Sequence, residues 1–116
     1  MPVTATIERL PEATAVVTLS GNLTLGSSLS LLNSQINGVI ADGVTRMVID
    51  LTAVDHVDSA GLGMLVYTYG ALNEKTGSIR LCGVGPRVVS LLELTHTNTF
   101  LKVDPTREAS LAALTS

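Results

Sequence analysis

Tryptophan is absent from these 116 residues, and the aromatic complement stops at Tyr67, Tyr69 and Phe100, 3% of the chain. A core of any size must therefore be assembled from Leu, Val, Ile and Ala. Charge is also scarce: 15% of residues are charged, with seven Lys and Arg against ten Asp and Glu, a net charge of −3. Binding to a polynucleotide requires clustered Lys and Arg to displace phosphate counterions, so no nucleic-acid partner is expected. The lone cysteine, Cys82, has no second thiol with which to form an internal disulfide. It lies in the apolar stretch IRLCGV and reads as a packed strand residue, not as a reactive or metal-binding one. No apolar run approaches the ~20 residues of a membrane span. Met1-Pro2-Val3-Thr4 opens without the basic and apolar regions of a secretory signal, so a cytoplasmic protein with no membrane partner is expected. Without such a signal, the glycosylation-like Asn22-Leu23-Thr24 carries no weight.

What the sequence does hold is apolar residues, 46% of the total, enough for a sizeable core in one domain. That domain is expected over residues 4–114. Residues 13–20, ATAVVTLS, alternate with a period of two, as a strand does. Ala5 to Arg9 is its expected hairpin partner, across the break Leu10-Pro11-Glu12. Leu29, Leu32, Ile36, Val39 and Ile40 recur at helical steps, which predicts a helix to about Ala41 with Ser27 or Ser28 as N-cap. Val44 to Leu51 is a dense aliphatic run suited to a strand buried on both faces. Leu62, Leu65, Val66, Tyr69 and Leu72 then space a second helix, stopped by Gly77. Ser78 to Gly83 predicts another strand, and Pro86 opens a third helix with Val88, Val89, Leu91, Leu92 and Leu94 as its apolar residues. A short strand over Phe100 to Val103 follows. Thr106 is placed to cap a last helix carrying Ala109, Ala112, Ala113 and Leu114. The order β-β-α-β-α-β-α-β-α predicts an α/β fold: a central mixed, mostly parallel sheet with an N-terminal hairpin and about four helices packed against it.

The chemistry concentrates in Val57-Asp58-Ser59-Ala60-Gly61-Leu62-Gly63, where a buried strand gives way to a helix. A hydrolase elbow needs G-x-S-x-G, and the first glycine is missing. The histidines that a triad would require are limited to His56, three residues before Ser59, and His96 in the polar HTNT segment. A phosphate cradle fares no better, because neither G-x-x-x-x-G-K-[ST] nor G-x-G-x-x-G occurs; Gly83-Val84-Gly85-Pro86-Arg87-Val88 has Val where the last glycine belongs. Two isolated histidines and one cysteine do not make a metal site, and Asp50, Asp55 and Asp58 offer too few oxygens for a hard cation. No cofactor or metal is expected. Two readings of the stretch remain open on the residues alone. Ser59 receives a phosphate at a helix start whose dipole tolerates the charge, with Gly61 and Gly63 keeping the surface small; or Asp58 or Ser59 simply caps the helix, with the glycines allowing helix–sheet packing.

The segment MVIDLTAVDHVDSAGLGMLV resembles the core of the STAS domain, the fold of bacterial anti-sigma factor antagonists, in which an apolar strand, an aspartate-containing loop and D-S-[SAT]-G-[LV]-G follow in that order. Leu19-Ser20-Gly21-Asn22-Leu23 resembles the family's L-x-G-x-L strand end. Residues 79–84 resemble its fourth strand, 86–92 the helix after it, and 100–103 its last strand. The resemblance implies a non-enzymatic, partner-switching phosphoprotein. Its unphosphorylated form binds an anti-sigma factor, a GHKL-type serine kinase, and so releases a sigma factor. The kinase phosphorylates the serine after the motif aspartate, Ser59 in this chain, and a metal-dependent serine phosphatase reverses the modification. The implied partner-binding residues are Asp58, Ser59, Ala60, Gly61 and Leu62, together with Asn22 and Thr24. A monomer or weak dimer is expected. The alternative within the family is a scaffold subunit of a stressosome-like or lipid-transport complex. Thr24 stands where many members are acidic, and Ala60 where many carry a second hydroxyl, which leaves Ser59 as the sole hydroxyl of the loop.

Overall fold

The computed structural model describes residues 1–115. Among them the chain forms one five-stranded sheet and four α-helices, in the order β1 (Thr4–Leu10), β2 (Thr14–Leu23), α1 (Ser27–Ala41), β3 (Arg46–Val57), α2 (Ser59–Glu74), β4 (Ser78–Cys82), α3 (Pro86–Leu94), β5 (Val103–Asp104) and α4 (Arg107–Thr115), with a 3₁₀ turn at Thr97–Thr99. Strand order in the sheet follows chain order. The β1–β2 pair is an antiparallel hairpin, and β2 to β5 are mutually parallel. This is the mixed, mostly parallel α/β sheet that the alternation of patterns predicts.

The two faces of the sheet are covered unequally. Ala15, Val17 and Leu19 of β2, Met47, Ile49 and Leu51 of β3, and Ile79 and Leu81 of β4 form one core with the apolar sides of α1, α2 and α3. On the other face, Val16, Val48 and Cys82 meet Leu114 of α4 in a much smaller cluster. Covering both faces is why β2 has an unbroken buried run from Thr14 to Val17, where a sheet with one wet side would leave every second residue exposed. Leu111 of α4 and Leu10 of β1 pack against the edge of the smaller cluster, and polar bonds supply the rest of the α4 contact. Arg80 Nε and Nη2 donate to Asp104 at 2.9 Å each, and Ser110 Oγ donates to the same carboxylate at 2.8 Å. Arg107 Nη2 donates to Asp50 at 3.1 Å and to Thr18 Oγ1 at 2.8 Å.

The structure departs from the sequence-based expectations at several points. The α1 N-cap is Gly26, with no side-chain cap; Ser28 Oγ instead accepts from Val3 N at 3.4 Å, tying the N-terminus to the helix. At the end of α2 the left-handed residue is Thr76, not Gly77. Gly77 lacks a side chain for a different reason, since a Cβ there would overlap the Thr45 carbonyl. In α3, Leu94 is 79% exposed while Val88 and Leu92 face the core. The last strand is Val103–Asp104, displaced from the expected Phe100 to Val103. Phe100 packs its ring on Tyr69, 4.7 Å between centroids, and Leu101 is fully buried, so both serve the core without joining the ladder. Thr106 does cap α4, its hydroxyl accepting from Ala109 N at 3.1 Å.

One further difference sets where Asp58 and Ser59 stand. β3 continues to Val57, well past the expected end at Leu51, and β2 continues beside it to Leu23 through two irregularities of register. β4 pairs with β3 only from Arg46 to Asp50. Beyond that point β3 runs on with β2 as its strand partner among the described residues, and Asp58 and Ser59 lie at the far end.

Candidate functional site

Asp58 is the N-cap of α2, and its extended backbone (φ −97°, ψ −175°) turns the chain from strand to helix. Its Oδ1 accepts from Gly61 N at 2.8 Å, the bond that satisfies one of the free donors of a first helical turn. Its Oδ2 accepts from Leu25 N at 3.0 Å, and its own N–H donates to Leu23 O at 3.3 Å. Two loops remote in sequence, β2–α1 and β3–α2, are thereby joined at one residue. The donor N–H groups, Leu25 first and Gly61 second, hold the Asp58 carboxyl below its ordinary value, so it is ionised throughout the neutral range.

Ser59 is the first residue of α2 and is exposed. Its hydroxyl has no hydrogen-bond partner among the described residues. The capping role left open on the residues alone thus falls to Asp58, and the serine oxygen is left for solvent or for another molecule. Ala60 is half-buried beside it. Gly61 and Leu62 are buried, so between Asp58 and Leu62 the accessible surface comes from Asp58, Ser59 and Ala60. Gly61 does not serve a small open surface but the helix–sheet packing that the capping reading allows: it sits against β2, where a Cβ would overlap the Leu23 carbonyl. Its missing side chain is what lets α2 start directly against the strand end. Gly63 fits the expectation better: it is exposed, and a Cβ there would meet nothing within 4 Å. Asn22 and Thr24 are half-buried in the adjoining β2 end and loop, with Asn22 paired in register with His56.

The sequence reading missed the ground beside this loop. A shallow groove of about 270 Å³ runs between α1 and α2, lined by Leu29, Ser30, Asn33, Ala60, Met64 and Tyr67. Tyr67 is 59% exposed at its edge, and Asn33 Oδ1 is buried without a hydrogen-bond partner among the described residues. Ala60, Met64 and Tyr67 follow at steps of four and three, a second stripe on α2 hidden by the stronger apolar spacing of the core-facing one. Leu25, tethered by Asp58, is 82% exposed. A single apolar residue in a loop has no periodicity to mark it.

Other chemistry is sparse. Among the described residues, no three His, Cys, Asp or Glu side chains are grouped so as to hold a metal ion, and no helix is long and apolar enough to cross a membrane. Cys82 is 1% exposed, and burial first, with the nearby Asp50 carboxylate, pushes its thiol up to about 11, so it is not a nucleophile at neutral pH.

The STAS domain family profile matches residues 4–110. The crystal structure of an anti-sigma factor antagonist from Mycobacterium paratuberculosis is 30% identical and superposes with a TM-score of 0.83, over 98% of this chain and 95% of that one. BtrV of Bordetella bronchiseptica is 29% identical over 82 residues, 71% of each chain. The anti-sigma-B factor antagonist of Staphylococcus aureus is 33% identical over 63 residues, 54% of this chain and 58% of that protein. With a five-stranded mixed sheet, helices on both faces and a profile match that takes in nearly every element, the chain belongs to the STAS domain family.

Proposed function

We propose that this chain is an anti-sigma factor antagonist switched by phosphorylation at Ser59. The observation that carries the reading is the exposed, unengaged Ser59 hydroxyl on the first turn of α2, beside an aspartate that already performs the capping. The antagonist names of the mycobacterial and staphylococcal relatives support the same class of activity.

In this reading the chain is a binder and a substrate, and the chemistry belongs to its partners. A GHKL-type kinase, which is also the anti-sigma factor, transfers the γ-phosphoryl group of ATP to Ser59 Oγ. ADP leaves, and a base of the kinase takes the hydroxyl proton. A metal-dependent phosphatase hydrolyses the ester and releases inorganic phosphate. The modification adds about −1.5 to −2 charge and three acceptor oxygens. The free N–H groups and dipole of α2 accommodate that charge, so the fold survives it. A surface desolvated on binding does not, and each 1.4 kcal/mol of mismatch costs about tenfold in affinity.

The test pairs chemistry with binding. Incubation with the cognate kinase and ATP should place one phosphate on Ser59, located by peptide mass spectrometry. Ser59→Ala should block modification and keep kinase binding, whereas Ser59→Asp should weaken binding by about tenfold or more. Modification at another residue sinks the site, and equal affinity of the two variants sinks the charge mechanism.

A further inference from the structure

A helix cap needs one oxygen of Asp58, and the structure uses both. Oδ1 accepts from Gly61 N at 2.8 Å; Oδ2 reaches across 33 residues of sequence to accept from Leu25 N at 3.0 Å. The second bond contributes nothing to starting α2. Its effect is to fix the β2–α1 loop next to Ser59, and the residue it fixes is a leucine with 82% of its surface in water. A charge-assisted bond is stronger than a neutral one, so the backbone that carries this exposed apolar side chain is held in place. An isolated chain gains no burial energy from holding Leu25 there, whereas a partner that covers it does. The flanking backbone reinforces the placement: Asp58 N donates to Leu23 O, and buried Gly61 packs against that same carbonyl.

We propose that Leu25 is the apolar anchor of the partner-binding surface around Ser59, and that Asp58 is the positioning residue that presents it. The occupant is the anti-sigma factor of the reading above, on which this inference rests, through an apolar pocket adjoining the region that receives Ser59. Continuity with that site is direct, because the tethering residue is the one that precedes the serine.

Variants separate the two roles. Asp58→Asn retains one oxygen to cap Gly61 N–H but turns an amide NH₂ toward Leu25 N–H, releasing the loop while keeping the helix start. Leu25→Ala leaves the tether and removes the anchor; Leu25→Met keeps an apolar side chain of similar volume. In the free protein, Asp58→Asn should shift the Leu25 amide resonance and speed its hydrogen exchange, with an unchanged circular dichroism spectrum. Against the unphosphorylated protein's kinase partner, Leu25→Ala should weaken binding by about tenfold or more, Leu25→Met by no more than about threefold, and the double variant Asp58→Asn/Leu25→Ala no further than the weaker-binding single variant. Wild-type affinity of Leu25→Ala overturns the anchor. An unmoved Leu25 amide in Asp58→Asn overturns the tether, and losses that multiply in the double variant overturn the link between the two residues. Failure of the wild-type chain to bind any GHKL-type kinase overturns the functional reading and the anchor together, and the amide measurement, made without partner, reports the tether by itself.

Discussion

Gly61 and Gly63 stand two residues apart in the first turns of α2 and respond oppositely to the same added methyl group. At Gly61 a Cβ would overlap the Leu23 carbonyl, and neither backbone segment is free to retreat, because Asp58 N is hydrogen-bonded to that same oxygen. Gly61→Ala should therefore destabilise the protein by about 1–3 kcal/mol, the usual cost of overpacking. At Gly63 the space is open, and alanine is the better helix former, so Gly63→Ala should stabilise by about 0.5–1 kcal/mol. Urea denaturation of both variants decides the matter; similar effects of the two would contradict the packing described. The sequence motif shows two glycines and gives no means of telling them apart. Their difference lies in what β2 places opposite, a contact between residues about 40 positions apart.

Among the elements, α4 is the one whose attachment depends most on charge. Its apolar contacts are Leu114 and the half-buried Leu111 on the small cluster of Val16, Val48 and Cys82, while Arg107 bonds Asp50 and Ser110 bonds Asp104, which Arg80 grips with two nitrogens. The Arg80 guanidinium, followed by the Ser110 hydroxyl, holds the Asp104 carboxyl below its ordinary value. Burial pushes Asp50 upward, but the Thr52 hydroxyl, the Thr52 N–H and Arg107 together outweigh it, and it too lies below. A carboxylate whose pKa is depressed by folding contributes fully above its unfolded pKa, near 3.8, and that contribution is lost as the pH falls through the folded value. Stability should thus be insensitive to these groups at neutral pH and decline below about pH 4. Asp104→Asn should be less stable at neutral pH and show a flatter acid limb in denaturant midpoints taken across the acidic range. An acid limb as steep as that of the wild-type protein would remove Asp104 from the account.

Element positions were legible in the sequence wherever one apolar period dominated: the helices over 27–41 and 59–74 and the strands β1, β2 and β4 stand where the spacing puts them, and β3 starts there. Legibility failed where burial and pairing part company. Phe100 and Leu101 are apolar because they fill the core, and only Val103 and Asp104 reach the ladder. The dense aliphatic run that predicts β3 ends at Leu51, yet Thr52 to Val57 continue the strand and β2 pairs with it to the end. At the candidate site, the motif points to Asp58 and Ser59, whereas the groove depends on how α1 meets α2 and the placing of Leu25 on how two loops meet.

For the whole molecule, the phosphate proposed at Ser59 would sit at one rim of the sheet, where it changes surface and leaves architecture alone. Phosphorylated and unphosphorylated protein should both run as monomers in light scattering coupled to size exclusion. Their amide resonances should differ around residues 22–26 and 57–64 and coincide elsewhere. A large stable oligomer would favour the scaffold role, and resonance changes spread through α4 would indicate a global rearrangement.

The continuation of β3 past β4 makes the end of the β2–β3 pair a cantilever, fixed in the wall of the core and loaded at its tip. A beam of this kind can be refitted at its free end without disturbing the masonry that holds it. On the proposed function, Asn22, Thr24, Leu25 and Ala60 on the outside of that tip are open to replacement as one partner is exchanged for another, while Leu23, Gly61 and Leu62, buried on its inner side, are not.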